Sequence, residues 1–156
     1  MTNAKRITRT YTQTLKGSPS EVFPLLCPVR EYDWIQIWEC EMIYSDSGVA
    51  EKNCIFKTNY HEDISERTWV VTIYEPNERI AFIVSSADNI IDFTITLING
   101  KDGTTVAEWK QVVTALTPAG EEYINTLTPE KYEKEKIMLE NMLNHYLTTG
   151  EMLKIK

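Results

Sequence analysis

The two histidines, and the acidic residues beside one of them, are the first side chains that could carry acid–base or metal chemistry. His61 is followed directly by Glu62 and Asp63, and His145 lies near the C-terminus. Adjacent residues point in different directions, whereas a metal site built on one element needs ligands on one face. We therefore interpret the cluster as a solvated loop and His145 as solvent-facing. We expect no metal, no cofactor and no histidine-centred mechanism, and the sequence assigns no catalytic residue.

A cysteine and a pair of carboxylates offer further chemical possibilities. Cys27 lies three residues before Arg30, and a nearby cation lowers the pKa of a thiol. We favour the alternative, a buried thiol before Pro28. Glu39 and Glu41 could form a carboxylate pair at a pocket mouth, although the solubility of an edge strand also explains them. Phosphate-binding loops and the G-x-S-x-G and H-E-x-x-H patterns do not occur in the sequence.

Composition and charge limit the classes of partner. A chain of 156 residues fits one domain, which we take to be residues 1–156. Its net charge of −7 provides no basic surface for nucleic-acid phosphates or anionic lipids. We therefore expect no nucleic-acid partner, no stable membrane association, and a monomer or homodimer. A secretory signal pattern and CxxC spacing are both missing, so we expect a cytoplasmic protein.

Local patterns near the N-terminus predict one strand followed by two short helices. Residues 6–16 alternate between threonines and a mixed apolar face, which is typical of a half-exposed strand. Ser18 and Glu21 have the spacing of a capping box at a helix start. Pro24 and Pro28 then interrupt helical hydrogen bonding. The pattern therefore predicts two short helices with a kink between them.

The middle of the chain predicts six further strands joined mostly by short turns, an arrangement that favours antiparallel pairing. These strands are expected at residues 39–45, 52–60, 67–74, 79–85, 90–98 and 104–116. The segment around Tyr123 and Ile124 is interpreted as a connection. Thr128 and Pro129 then mark the start of a long amphipathic helix.

These elements predict an α+β fold with an internal cavity. We expect a curved seven-stranded antiparallel sheet, two short helices after the first strand, and a long C-terminal helix packed over the concave face. Because a strongly bent sheet and a helix do not match in shape, space can remain between them. The strand residues that point toward the interior are rich in aromatic side chains and include few polar ones. This composition suits an apolar ligand pocket, although a filled core is the alternative. The candidate ligand-binding residues are Trp34, Trp38, Phe56, Thr58, Tyr60, Trp69, Val71, Phe93, Ile95, Trp109, Gln111, Leu139, Met142, Leu143 and Tyr146.

Two tryptophans in residues 25–45 pose a separate question. Trp34 and Trp38 would share one face of a continuing helix, or would point apart if the chain turns at residues 35–37. The two side chains could simply pack a loop onto the sheet. Alternatively, they could form an aromatic lid that contacts a ligand, with Arg30 near the entrance. In either case we expect this stretch to close one end of the cavity.

Two segments and the order of the elements resemble a known superfamily. The segment "SPSEVFPLL", followed by a tryptophan, resembles a capped short helix of the START-like, or SRPBCC, superfamily. The segment "GTTVAEWKQVVTALTPAG" resembles its last strand. The resemblance covers nearly the whole chain and is nearest to small stand-alone members such as polyketide cyclase-like proteins. It implies a helix-grip fold that encloses a hydrophobic cavity.

The resemblance favours one function and leaves two alternatives. We predict a protein that binds a hydrophobic, lipid-like or aromatic small molecule in its internal cavity. One alternative is an enzyme resembling polyketide cyclases or aromatases, in which Tyr60, Tyr146 or Gln111 assists proton transfer. The other is a protein-binding module resembling the branch of the superfamily that activates a chaperone ATPase.

Overall fold

A single antiparallel sheet forms the frame of the part of the chain that the computed structural model describes, residues 3–59 and 66–155. Its seven strands in these residues lie in the order β1-β7-β6-β5-β4-β3-β2. The strands are β1 (Arg6–Leu15), β2 (Cys40–Tyr44), β3 (Ile55–Thr58), β4 (Arg67–Glu75), β5 (Arg79–Ser85), β6 (Asn89–Asn99) and β7 (Thr105–Ala115). The predicted fold class and the predicted strands are confirmed.

Irregular pairing bends the sheet. In β4, Val71 pairs with Phe82 and Ile73 pairs with Ala81, so that Thr72 has no opposite residue. A second register shift lies in β2. Such bulges increase the local twist and curve a sheet. The curvature leaves a concave face for the C-terminal helix to cover.

The helices after β1 begin at the predicted capping box. Helix α1 (Pro19–Val22) and helix α2 (Pro28–Glu31) are separated by a 3₁₀ segment, Phe23–Leu26, which is the expected kink. The Glu21 backbone N–H donates to Ser18 Oγ, and the Glu21 carboxylate accepts from the Ser18 backbone N–H at 3.0 Å. The proline-broken sequence therefore folds as two short helices.

A helix replaces the connection that we expected around Tyr123. Helix α3 (Pro118–Thr126) begins at Thr117, whose hydroxyl accepts from the Gly120 backbone N–H at 3.2 Å. The expectation of a connection was wrong, because a threonine followed by proline is the same start signal that we used at residue 128. A Cβ at Gly120 would collide with the Asp88 carbonyl oxygen, so this glycine lets α3 pack directly against the β5–β6 turn.

The long helix α4 (Pro129–Thr149) covers the outer edge of β1. It begins at the Thr128 cap and ends at Gly150, which has a left-handed φ of 74°. The Glu140 carboxylate accepts from the Thr14 backbone N–H at 2.6 Å and from the Tyr11 hydroxyl at 3.0 Å. The first of these contacts satisfies a backbone N–H that an edge strand would otherwise expose. Within the described part of the chain, no helix has both the length and the apolar character needed to cross a bilayer.

Asn144→Ala is expected to lower the free energy of unfolding by about 1 kcal/mol, since it removes two hydrogen bonds between α4 and β1. The Asn144 side chain accepts from the Lys16 backbone N–H at 2.7 Å and donates to the Thr14 carbonyl at 3.0 Å. Urea denaturation measures the change. Asn141→Ala is the matched control, because Asn141 is exposed on the same helix. Equal changes in both variants would contradict the assignment.

Candidate functional site

A cavity of about 340 Å³ lies between the sheet and α4. Three parts of the chain line it. The segment containing α2 contributes Leu26, Pro28, Glu31, Ile35, Ile37 and Trp38. The strands contribute Phe56, Arg67, Trp69, Phe82, Phe93, Ile95, Trp109 and Gln111, and α4 contributes Glu135, Lys136, Met138, Leu139 and Met142.

Nine of the fifteen candidate residues from the sequence lie in this wall. Eight of them share an inward position on alternate residues of the strands or on the buried face of α4, and Trp38 lies in the segment between α2 and β2. The nine are Trp38, Phe56, Trp69, Phe93, Ile95, Trp109, Gln111, Leu139 and Met142. Their role in binding a ligand remains a prediction.

Five other candidates lie outside the wall. Trp34, Val71 and Leu143 are fully buried in the core, where neighbouring side chains cover them. The Thr58 hydroxyl is buried and accepts from Trp69 Nε1 at 2.8 Å. Tyr146 is partly buried and packs against the core without reaching the cavity wall.

The remaining candidate, Tyr60, lies outside the described residues, as do His61, Glu62 and Asp63.

A row of five rings forms the sheet side of the cavity. The ring centroids of Phe56 and Trp69 are 5.4 Å apart in a stacked pair, and Trp69 meets Phe82 edge-on at 5.4 Å. Phe82 and Phe93 are 5.7 Å apart, and Phe93 and Trp109 are 5.6 Å apart. The antiparallel register places Phe56 opposite Trp69 and Phe82 opposite Phe93. One aromatic residue on each of five strands thus provides an apolar surface that suits a flat, unsaturated ligand.

Lys136 brings an amine to this aromatic wall. It is only 8% exposed, and its Nζ lies 4.8 Å from the ring centroid of Tyr132, 5.6 Å from that of Trp109 and 5.8 Å from that of Phe93. Burial lowers the pKa of the Lys136 ammonium to about 8. Lys136 is not among the candidate residues predicted from the sequence. Its position four residues after Tyr132, on the apolar face of α4, was the available signal.

Three further charged side chains line the cavity around Lys136. Burial raises the pKa of the Glu31 carboxyl well above its usual range, and Lys136 acts in the opposite direction. Glu135 and Glu31 favour the charged form of Lys136, whereas Arg67 disfavours it. The cavity therefore combines aromatic walls with an amine whose pKa is lowered to about 8 and a carboxyl whose pKa is raised by burial.

Two other residues of the wall carry polar groups, Trp109 and Gln111. The Trp109 Nε1–H is buried and has no hydrogen-bond acceptor in the described part of the chain. Gln111, two residues further along β7, is partly exposed to the cavity. The Trp109 nitrogen has no accessible surface toward the cavity, so Gln111 is the one of these two groups that a bound molecule can reach.

The mouth of the cavity lies between the segment after α2 and the middle of α4. Ile37 is 56% exposed and Met138 is 44% exposed, although both line the cavity. Trp38 is buried behind Ile37, and its Nε1 donates to the Pro28 carbonyl at 2.8 Å. The residues around Trp38 therefore close one end of the space.

Cys27 is not an activated nucleophile. Burial raises the pKa of its thiol to about 11, and the Glu31 carboxylate acts in the same direction. Arg30, which we considered as an activating cation, instead donates to Asp33 at 2.8 Å. His145 is partly buried, in contrast to the expected solvent-facing position. Glu39 and Glu41 lie outside the cavity wall.

Comparison with known proteins identifies the fold. No protein-family model and no curated protein matches the sequence. Norcoclaurine synthase from Thalictrum flavum, solved in complex with dopamine and hydroxybenzaldehyde, has a TM-score of 0.69 at 11% identity, with 99% of this chain and 91% of that chain covered. An uncharacterised protein from Rhizobium leguminosarum has a TM-score of 0.62 at 17% identity, with 93% and 96% covered.

A third similar structure comes from a biosynthetic locus. DynU16, a protein in the dynemicin biosynthetic locus, has a TM-score of 0.62 at 15% identity. The match covers 92% of this chain and 48% of DynU16, so the chain spans about half the length of that protein. Together with the observed topology, these similarities show that the chain has the helix-grip fold.

Proposed function

We propose that this protein binds a small apolar molecule containing an aromatic ring in the cavity between the sheet and α4. The observation that carries the proposal is the unfilled volume of about 340 Å³ behind the row of five rings. That volume lies at the lower end of the range for small-molecule pockets. Burial of the ligand's apolar surface supplies the affinity, and Gln111 orients a polar atom of the ligand.

The similar structures support an aromatic ligand of modest size. Norcoclaurine synthase is described in complex with dopamine and hydroxybenzaldehyde, two single-ring molecules. DynU16 belongs to a biosynthetic locus.

We also propose that the protein works in a reducing cytoplasm. The free thiols of Cys27, Cys40 and Cys54 agree with this proposal.

An enzyme that acts on such a molecule is the second candidate. The observation that favours it is the group of titratable side chains in the cavity wall, above all Glu31 and Lys136. Perturbed acids and bases in an apolar cleft are a feature of catalytic sites. Of the residues first considered for proton transfer, only Gln111 lies in the described wall.

Leu139→Trp is expected to weaken binding of the neutral dye phenylnaphthylamine at least about tenfold, since the larger ring occupies part of the cavity. Fluorescence titration measures the affinity, and one dye molecule is expected per chain. Ile98→Trp is the matched control, because Ile98 is 60% exposed and lies outside the wall. Failure of the unaltered protein to bind any neutral aromatic dye would overturn the proposed function.

A further inference from the structure

The Lys136 amine has an unusual setting for a charged side chain. Its Nζ is surrounded by the rings of Tyr132, Trp109 and Phe93. In residues 3–59 and 66–155, it has neither a hydrogen-bond acceptor nor an ion-pair partner within 4.0 Å. A lysine that serves only the fold is normally paired when it is this deeply buried. The amine instead faces the cavity, where a ligand would meet it.

We infer that Lys136 is a nucleophilic amine that forms an imine with an aromatic aldehyde bound in the cavity. The inference rests on the proposed binding function and adds the class of substrate and the reacting atom. The aromatic row holds the ring of the aldehyde, and the cavity brings its carbonyl carbon to Nζ. A neutral aldehyde suits this site because it enters an apolar space without a charge to desolvate.

The desolvated amine supplies the reactive form. With a pKa of about 8, roughly 10% of the Lys136 side chain is neutral at pH 7. An ordinary lysine with a pKa of 10.5 is neutral to about 0.03% at that pH, so the reactive fraction is about 300-fold larger at Lys136. A lysine in an apolar pocket is activated as a nucleophile in this way.

Glu31 provides the proton that completes the reaction. The neutral amine attacks the carbonyl carbon, a C–N bond forms, and a proton moves from nitrogen to oxygen to give a carbinolamine. The Glu31 carboxyl, whose pKa is raised by burial, protonates the hydroxyl. The C–O bond then breaks and water leaves. The products are a protonated imine, one water molecule and the Glu31 carboxylate, which compensates the positive charge.

Reductive trapping tests the inference. The purified protein is incubated at pH 7 with naphthaldehyde and cyanoborohydride, and peptide mass spectrometry locates the naphthylmethyl adduct. We expect Lys136 to be labelled at least about tenfold faster than any other lysine, and excess naphthalene to slow this labelling because it occupies the cavity. Lys136→Arg should lose the adduct, since a guanidinium is not a nucleophile at this pH. Lys134→Met, an exposed site on the same helix, is the control.

Each outcome separates the inference from the proposed function. Labelling spread evenly over surface lysines, while the neutral dye still binds, would overturn the imine and leave the binding function intact. Binding of naphthoate without any trapped aldehyde would also overturn it and would identify Lys136 as an anion-binding group. Absence of dye binding would instead remove the proposed function itself. Glu31→Gln is expected to slow adduct formation and to remove the alkaline limb of its pH profile, because the Glu31 carboxyl acts only while it is protonated.

Discussion

Lys136→Met is expected to raise the free energy of unfolding at pH 7 by about 2 kcal/mol. The fall in the Lys136 pKa from 10.5 to about 8 corresponds to about 3 kcal/mol of unfavourable desolvation of the charged form. The surrounding rings return about 1 kcal/mol through cation–π attraction, which the variant loses. Methionine keeps most of the volume of the side chain, so it leaves little void. Removing this amine should therefore stabilise the fold, in contrast to most substitutions of buried residues.

The stabilisation should depend on pH in a defined direction. Between about pH 8 and pH 10.5, the unfolded chain retains the proton of Lys136 while the folded protein has lost it. Unfolding then takes up a proton, so this group makes the wild type more stable as pH rises through that window. The variant lacks this gain. Its advantage is about 2 kcal/mol at pH 7 and disappears toward pH 10.5.

Urea denaturation at several pH values measures this effect as a difference between the two proteins. Tyrosines and cysteines titrate in the same pH range, but both proteins contain them. Their contributions therefore cancel in the difference between the two free energies of unfolding. The charged groups that face Lys136 are Glu31, Glu135 and Arg67, and they are also unchanged. The exposed Lys134→Met serves as the control and should show no such trend. A variant that is less stable than wild type at pH 7, with a difference independent of pH, would show that the amine is well paired in the fold.

Local signals account for the parts of the fold that the sequence predicted. The caps at Ser18 and Thr128 involve residues three apart, so the chain specifies them without reference to tertiary structure. Strand alternation has a period of two and is equally local. Helix α3 was missed even though Thr117 and Pro118 carry the same signal, because its short apolar stretch resembled a connection.

The charged part of the site depends on packing that the sequence does not display. Lys136 interrupts an apolar face, and a lone lysine there suggests a side chain that extends to solvent. Its burial follows from the way α4 lies against β1, where the Lys136 carbonyl accepts from Gln13 Nε2 at 2.9 Å. Glu31 is similarly ordinary in sequence. It becomes part of the site only because α2 lies over the open end of the sheet. The position of Lys136 therefore depends on a contact across more than one hundred residues.

The different positions of Trp34 and Trp38 also could not be predicted from the sequence, although the two residues are only four apart. Both indoles are buried, and both donate to carbonyls of the preceding segment, Trp34 to Leu25 at 2.7 Å and Trp38 to Pro28 at 2.8 Å. Only Trp38 reaches the cavity. The four-residue spacing predicted that they would act together on one face if α2 continued. Because α2 ends at Glu31 and is followed by turns, the two rings occupy different layers, one in the core and one in the cavity wall.

Trp34→Ala is accordingly expected to lower the free energy of unfolding by about 4 kcal/mol, the largest effect of any single change considered. Trp34 is 0% exposed, so its removal leaves a large void and an unpaired Leu25 carbonyl. Trp38→Ala also destabilises, but its void opens into the cavity, where dye can enter. The dye's affinity and emission maximum should therefore change in Trp38→Ala, while a milder Trp34→Phe variant alters stability alone. If Trp34→Phe shifts dye binding as much as Trp38→Ala does, then the two tryptophans act as one lid, and the separation of core from wall at this end of the sheet is wrong.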